Sequence, residues 1–367
     1  MPSTPDPVVN HLAERQVPNS RPSLGLQESV AVSAAVMEGQ VSAGPRVAAF
    51  ETEIARAHGK TTGVACSSGT AALHLALEAL DIGKGSIVAI PSLAFVSVAN
   101  AVLHAGAKPI FVDSEYETGN LDPEMLARLF GVTDAFIVPH LYGMPATMPE
   151  PFPAATPIIE DCAEAHYSPA VARRGRIATF SFFGNKIVTT GEGGMAITDE
   201  PFLAERMRAL RAHNMAPRQR FAHVGLGWNY KMGEMQAALG LVQHQRRAEL
   251  LQKRAAVAEI YLDGLQRILG IAHPIRPEGS VWWTFPVLFN DEKAKRAAWE
   301  RLAMHGIDAR PYFTPLHLQP HLKKFARGER FPVAEDLAKR GLCLPLYPDM
   351  SGEEAAYVLG HLSPALA

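Results

Sequence analysis

Short apolar runs recur along the first two thirds of the chain, at 64–66, 86–90, 109–113, 135–139, 157–160, 179–183 and 195–198. Helical or turn-rich stretches separate them. Strands that alternate with crossovers predict a mostly parallel sheet covered by helices on both faces. Ahead of the first strand, helical spacing at 26–39, with Gly39 as its stop, and at 46–58 predicts two helices joined by a loop at 40–45. After 64–66, Leu73, Leu77 and Leu80 share one face of a further helix. A helix rich in arginine is predicted at 202–212, and an amphipathic stretch from about 233 to 265 predicts the bridge into a second domain. There a strand is expected at 281–289, a helix at 292–305 and a closing helix at 352–362. Pro2, Pro5, Pro7, Pro18 and Pro22 make the start an irregular arm. The expected organisation is an arm over 1–25, a large α/β domain over 26–245 and a smaller C-terminal α/β domain over 246–367.

Composition agrees with two cores. The chain has 367 residues, 47% of them hydrophobic and 20% charged. A net charge of -2 gives no reason to expect nucleic acid or a membrane surface as partner. Cys66, Cys162 and Cys343 lie far apart and make neither a disulfide framework nor a zinc pattern, so buried thiols in a reducing cytoplasm are expected. The polar, proline-rich start lacks a signal pattern, and no run is long enough to span a bilayer.

The loops that leave the strands carry the chemistry. Lys186 stands between the apolar run Thr179–Phe180–Ser181–Phe182–Phe183 and Ile187–Val188, followed by Thr189–Thr190–Gly191–Glu192–Gly193–Gly194. A desolvated lysine offers a free amine for bonding to an aldehyde; a lysine at a strand end reaching water is the plainer alternative. Ser67–Ser68–Gly69–Thr70, between strand and helix, could hold a phosphate at a helix N-terminus or simply cap that helix. It is neither a Walker loop nor a dinucleotide fingerprint. Asp161, after the strand at 157–160, could pair with a cationic ring nitrogen or cap a helix beginning at Cys162. Phe95 could stack on a ring or belong to the core. His140 and His166 read as core or supporting histidines, and no spacing indicates a metal site. In chain order these positions supply a phosphate cradle, an aromatic plate, an acid for a ring nitrogen and a lysine for an aldehyde. One cofactor needs that set: pyridoxal 5′-phosphate.

The segments QVSAGPRVAAFE, VACSSGTAALHLAL, PSLAFVSVANAV, IIEDCAEAH, FSFFGNKIVTTGEGGM, GWNYKMGEMQAALGL and HGIDARPYFTPLH resemble the DegT/DnrJ/StrS sugar aminotransferases over about 41–362. Inside that family SFFGNK, TTGEGGM and the segment around ARPYFTPLH look most like its GDP-perosamine-forming branch. The resemblance implies an aspartate-aminotransferase-like fold of type I, with a mostly parallel seven-stranded sheet in the large domain. It implies that Lys186 bonds to the cofactor aldehyde, Asp161 holds the pyridine nitrogen and Phe95 stacks on the ring. Ser68, Gly69, Thr70 and Ser181 would bind the phosphate, with Asn229 reaching across from a second subunit of a homodimer. Glu164 would sit beside the cofactor hydroxyl. The implied substrates are glutamate as amino donor and a nucleotide-linked keto-sugar as acceptor, with Arg310 and His317 as candidates near the sugar or its phosphates; for Arg310 a surface salt bridge is the alternative.

Three stretches depart from the family pattern: the proline-rich 143–157, the short 167–177 and the arm to Pro22. None removes a cofactor residue, but each bears on the substrate. Rival functions are an aminotransferase for another keto-sugar or a cyclitol, a sugar dehydratase of the same fold, and a non-catalytic regulator. The dehydratases carry histidine at the lysine position, and Lys186 together with Asp161 argues against the last two.

Overall fold

The computed structural model describes residues 5–13, 15–150, 156–216, 219 and 221–362. Parts of the arm (1–4 and 14) and of the proline-rich segment (151–155) lie outside the described residues.

The chain opens with α1 (Leu26–Met37) and α2 (Pro45–Ala57), then β1 (Thr62–Cys66) and α3 (Gly69–Ala79). It continues through β2 (Ile87–Pro91), α4 (Ser97–His104), β3 (Lys108–Val112), α5 (Pro123–Ala127), β4 (Ala135–Pro139), β5 (Ile158–Asp161), β6 (Ile177–Ser181) and β7 (Gly194–Thr198). These strands form one seven-stranded sheet in the order β1-β7-β6-β5-β4-β2-β3. The pairs from β3 to β6 are parallel, and β7 runs antiparallel to both β6 and β1. Every run expected to be a strand in this region is one, with ends displaced by a residue or two.

Beyond the sheet come α6 (Pro201–Leu210), α7 (Glu234–Gln245) and α8 (Arg247–Leu265). The single stretch expected at 233–265 is thus two helices, parted at Arg246. That guanidinium is drawn aside to Glu28 Oε1 at 2.6 Å and to Glu249 and the Ser23 carbonyl at 3.1 Å. Then follow β8 (Ile271–Ala272), β9 (Phe285–Phe289), α9 (Glu292–Met304), β10 (Arg310–Pro311), α10 (Lys323–Ala326), α11 (Pro332–Arg340), β11 (Gly341–Leu344) and α12 (Gly352–Leu362). Their four strands make a second, antiparallel sheet in the order β10-β11-β9-β8.

Both faces of the large sheet are apolar, as a covered parallel sheet requires. Leu73, Leu77, Val98, Val102 and Met207 of α3, α4 and α6 pack on one face, and Phe50, Ile54, Ala237 and Leu250 with Phe180 and Phe182 lie on the other. Tyr312, Leu316, Phe331 and Leu337, from the second half of the chain, join the first of these cores. The second sheet has its own core with α8, α9 and α12, into which Val17 of the arm is inserted. The arm is irregular but pinned. Val17 N–H donates to the Gly306 carbonyl at 3.0 Å, its carbonyl accepts from Asp308 N–H at 2.9 Å, and the Asn19 carbonyl accepts from Leu346 N–H at 3.1 Å. No helix among the described residues is long and apolar enough to cross a membrane.

The strand expected at 281–289 begins only at Phe285. Val281 N–H is taken by the Gly143 carbonyl at 2.9 Å, and Trp283 Nε1 donates to the Asn185 carbonyl at 2.9 Å. These bonds leave the strand's start facing the site rather than the second sheet.

Candidate active site

In an open parallel sheet, ligands collect where loops leave the carboxyl ends of strands. Here β1 is followed by Ser68, Gly69 and Thr70, β2 by Phe95, β4 by His140, β5 by Asp161 and Glu164, and β6 by Ser181, Phe183 and Lys186, and all of these line one cavity of about 320 Å³. The structure therefore brings together Ser68, Gly69, Thr70, Phe95, Asp161, Glu164, Ser181 and Lys186.

Lys186 is the centre of this cavity. Its Nζ lies 4.0 Å from Glu164 Oε1 and 3.9 Å from the centre of the Trp283 ring. Burial pushes its pKa below the ordinary lysine value, and the Glu164 and Asp161 carboxylates act against that shift. Glu164 is raised to about 7 by burial, opposed by Lys186 and by the Tyr142 N–H that it accepts at 2.7 Å. That N–H is aimed by an uncommon backbone conformation, φ +53° at Tyr142, which a bulky residue adopts only where its surroundings impose it. Asp161 is also raised by burial, although Ala163 N–H donates to its Oδ1 at 3.1 Å. A cation facing the other oxygen would hold it ionised. The helix expected as one alternative at Cys162 does not form; 162–168 are turns, so Asp161 caps nothing and its carboxylate faces the cavity.

The far wall is the first turn of α3. Ser68 is its N-cap, accepting from Ala71 N–H at 3.1 Å through Oγ, while its carbonyl accepts from Ala72 N–H. The amides of Gly69 and Thr70 have no partner inside the helix, so this end suits an anion. Gly69 is required by proximity, because a Cβ there would come within 2.7 Å of Ser181 Cβ. That approach puts the Ser181 hydroxyl next to the helix start. A buried lysine, a buried acid, an aromatic face that is 54% exposed at Phe95 and a helix terminus closed by a serine together fit pyridoxal 5′-phosphate.

A second cavity, about 580 Å³, shares Phe183, Asn185, Trp283 and Phe313 with the first. Arg310 lines it, bonded to Asp308 at 2.8 Å and largely exposed. His317 lines neither cavity. It is buried, its Nδ1 is 2.6 Å from Ser92 Oγ, and it packs against the Phe331 ring. Asn229 is exposed, away from both cavities, and accepts from Lys231 Nζ at 2.6 Å.

Sequence reasoning did not single out Trp283, Tyr142 or Phe313. The only signal for Trp283 was a tryptophan pair at the start of a run read as strand. Nor did it find the role of Glu160, which is buried and bound by His140 Nε2–H at 3.0 Å and by the amides of Ala172, Arg174 and Gly175. His140 Nδ1 accepts from Ala146 N–H, which fixes its tautomer. His140, Glu160 and Cys162 come close enough to hold a metal ion. With Glu160 fully bonded and burial keeping the Cys162 thiol protonated, the group is instead a hydrogen-bonded brace for the abbreviated segment before β6.

Residues 22–363 match the DegT/DnrJ/EryC1/StrS aminotransferase family. The chain is 32% identical to the GDP-perosamine synthase of Escherichia coli O157:H7, over 94% of this chain and 97% of that one. It is 36% identical to the UDP-N-acetyl-3-dehydro-alpha-D-glucosamine 3-aminotransferase of Acidithiobacillus ferrooxidans, over 84% and 86%. Among solved structures it matches the aminotransferase TlmJ of Streptoalloteichus hindustanus with a TM-score of 0.85 at 30% identity, covering 94% of this chain and 97% of that one. With the lysine, the acids and the phosphate-binding turn in one cavity at the strand ends, the chain belongs to the DegT/DnrJ/EryC1/StrS aminotransferase family and is a transaminase of the type I pyridoxal-phosphate fold.

Proposed function

We propose that this protein moves an amino group from glutamate to a nucleotide-linked keto-sugar, and that the acceptor is a 4-keto-6-deoxysugar, GDP-4-keto-6-deoxymannose giving GDP-perosamine being the leading candidate. The observation that carries this reading is the pair of joined cavities, one built around Lys186 and the other open, larger and lined mostly by neutral groups. Similarity to GDP-perosamine synthase supports the choice of sugar.

Pyridoxal 5′-phosphate, when bound, supplies an aldehyde to carry the amino group and a ring that draws electrons from the donor's Cα. The amides of Gly69 and Thr70 and the hydroxyls of Ser68 and Ser181 bind its phosphate, Phe95 covers the ring, and Asp161 keeps the ring nitrogen protonated. Lys186 would hold the aldehyde, and its amine, once free, would serve as the proton carrier of the site. Its Nζ would take the Cα proton of glutamate as base and return a proton as acid, in reverse order for the sugar. A lowered pKa suits that work, since the amine must be neutral to accept a proton. The Trp283 ring, 3.9 Å from Nζ, shields the lysine from water.

The active species is a homodimer in which Asn229 completes the phosphate site of the other copy. Its exposure, away from its own cavity, and the exposed Phe221, Val224 and Leu226 nearby in sequence support this. The three free, buried cysteines accord with a reducing cytoplasm. The test is kinetic. Parallel double-reciprocal lines for glutamate and the keto-sugar are expected, and Lys186→Ala loses the cofactor's absorbance band on dialysis together with all turnover. Intersecting lines, or full activity in Lys186→Ala, overturn the scheme.

A further inference from the structure

Accepting that reaction, we infer that the N-terminal arm is part of the acceptor site, with Asn19 and Ser20 reading the hydroxyls of the keto-sugar and setting which one is used. Both residues line the second cavity, and both lie upstream of the residues 22–363 that match the family.

Its placement is firm. The bonds from Val17 to Gly306 and Asp308 and from Asn19 to Leu346 fix the backbone on either side of Asn19, and the Arg21 guanidinium lies 5.0 Å from the centre of the Tyr347 ring. None of these anchors uses the side chain of Asn19 or Ser20, so neither is needed to hold the arm. They are also unpartnered. Asn19 Nδ2 and Ser20 Oγ are buried without a hydrogen-bond partner, and so are Asn185 Oδ1 and Tyr312 OH, on two other residues of the same cavity. Native proteins leave few buried polar atoms unpaired, and here four belong to one wall. Turning any of them toward a ligand breaks no bond within the protein.

The chemistry of that wall selects the ligand. An amide donor, an amide acceptor and two hydroxyls that can do either form a neutral set suited to a polyhydroxylated ring. The charged groups of the lining are Arg310, Asp308 and Asp6; Arg310, exposed like Asp6, is the single cation among them. A sugar held against the neutral wall, with its phosphates toward Arg310, matches this arrangement.

The experiment uses the cofactor-loaded protein and Asn19→Ala, Ser20→Ala and the double variant, with GDP-4-keto-6-deoxymannose and dTDP-4-keto-6-deoxyglucose as acceptors. The half-reaction with glutamate, followed by the cofactor's absorbance, is expected to keep its rate, which also shows that the variants fold. For the better acceptor, kcat/KM is expected to fall about tenfold in the double variant, mainly through KM, and its preference over the other acceptor to shrink. Unchanged KM and preference, or equal slowing of the glutamate half-reaction, overturns the role of the arm and leaves the reaction standing. Failure of the unaltered protein to aminate either sugar sinks the proposed acceptor class and the arm's role together.

Discussion

Glu164→Gln isolates the electrostatics of the site. In the cofactor-free protein burial raises this carboxyl from an ordinary 4.5 to about 7, so the folded state binds its proton more tightly than the unfolded chain does. The sign follows. Stability falls as pH rises from about 4.5 through 7, and is level beyond that. Between two such pKa values the penalty grows from pH 5 to pH 8 by a span of roughly 2–3 kcal/mol. Glutamine keeps an acceptor for the Tyr142 N–H but cannot ionise. The variant is therefore expected to gain on the parent apoprotein by about that span when urea unfolding at pH 8 is compared with pH 5. Some of the gain returns, because Lys186, 4.0 Å away, loses a countercharge. A relative gain under about 1 kcal/mol would show that Glu164 is ionised at ordinary carboxylate pH and that its burial is offset in full.

Other outcomes follow from the same geometry. Asp161→Asn should preserve the fold and slow transamination by orders of magnitude; a loss of under about tenfold, or 1.4 kcal/mol, removes it from its assigned role. Mixing Lys186→Ala with an inactive Asn229→Ala should restore some activity through hybrid dimers holding one intact site, and no recovery despite measured subunit exchange points to a self-contained site. Glu160→Ala should cost more than about 3 kcal/mol at neutral pH, read by denaturant unfolding, because it strands three amides and His140 in the interior. Since Glu160 is lowered to about 2, its stabilisation is present above pH 4.5 and lost as pH falls toward 2.

The large sheet was legible because a strand buried on both faces writes a continuous apolar run, and each such run became a strand. Lys186 and Asp161 were legible for the converse reason, being charged residues placed where such runs end. What escaped were features set by distant partners. Trp283 sits in a run that reads as strand, and only bonds to Gly143 and Asn185 pull that run away. His317, a candidate through the family resemblance, is consumed by Phe331 and by Ser92, the latter far from it in sequence. The break at Arg246 coincides with bonds from its side chain to Glu28 and Ser23, more than two hundred residues earlier.

Arg254 of α8 is fully buried, and its Nη1 donates to the carbonyls of Trp283 at 2.8 Å and Leu346 at 3.1 Å, while Nη2 reaches the Lys186 carbonyl at 3.5 Å. One cation thus rivets the lysine's loop, the tryptophan's loop and the end of the second sheet. Prising the two sheets apart along this seam would strip those carbonyls of their donor and strand a charge, at a cost of about 3–5 kcal/mol. Phe95 and Phe183, on the lining of the same cavity, are by contrast half exposed. The loop that carries the reactive amine is thus tied from behind to two other segments through a single side chain.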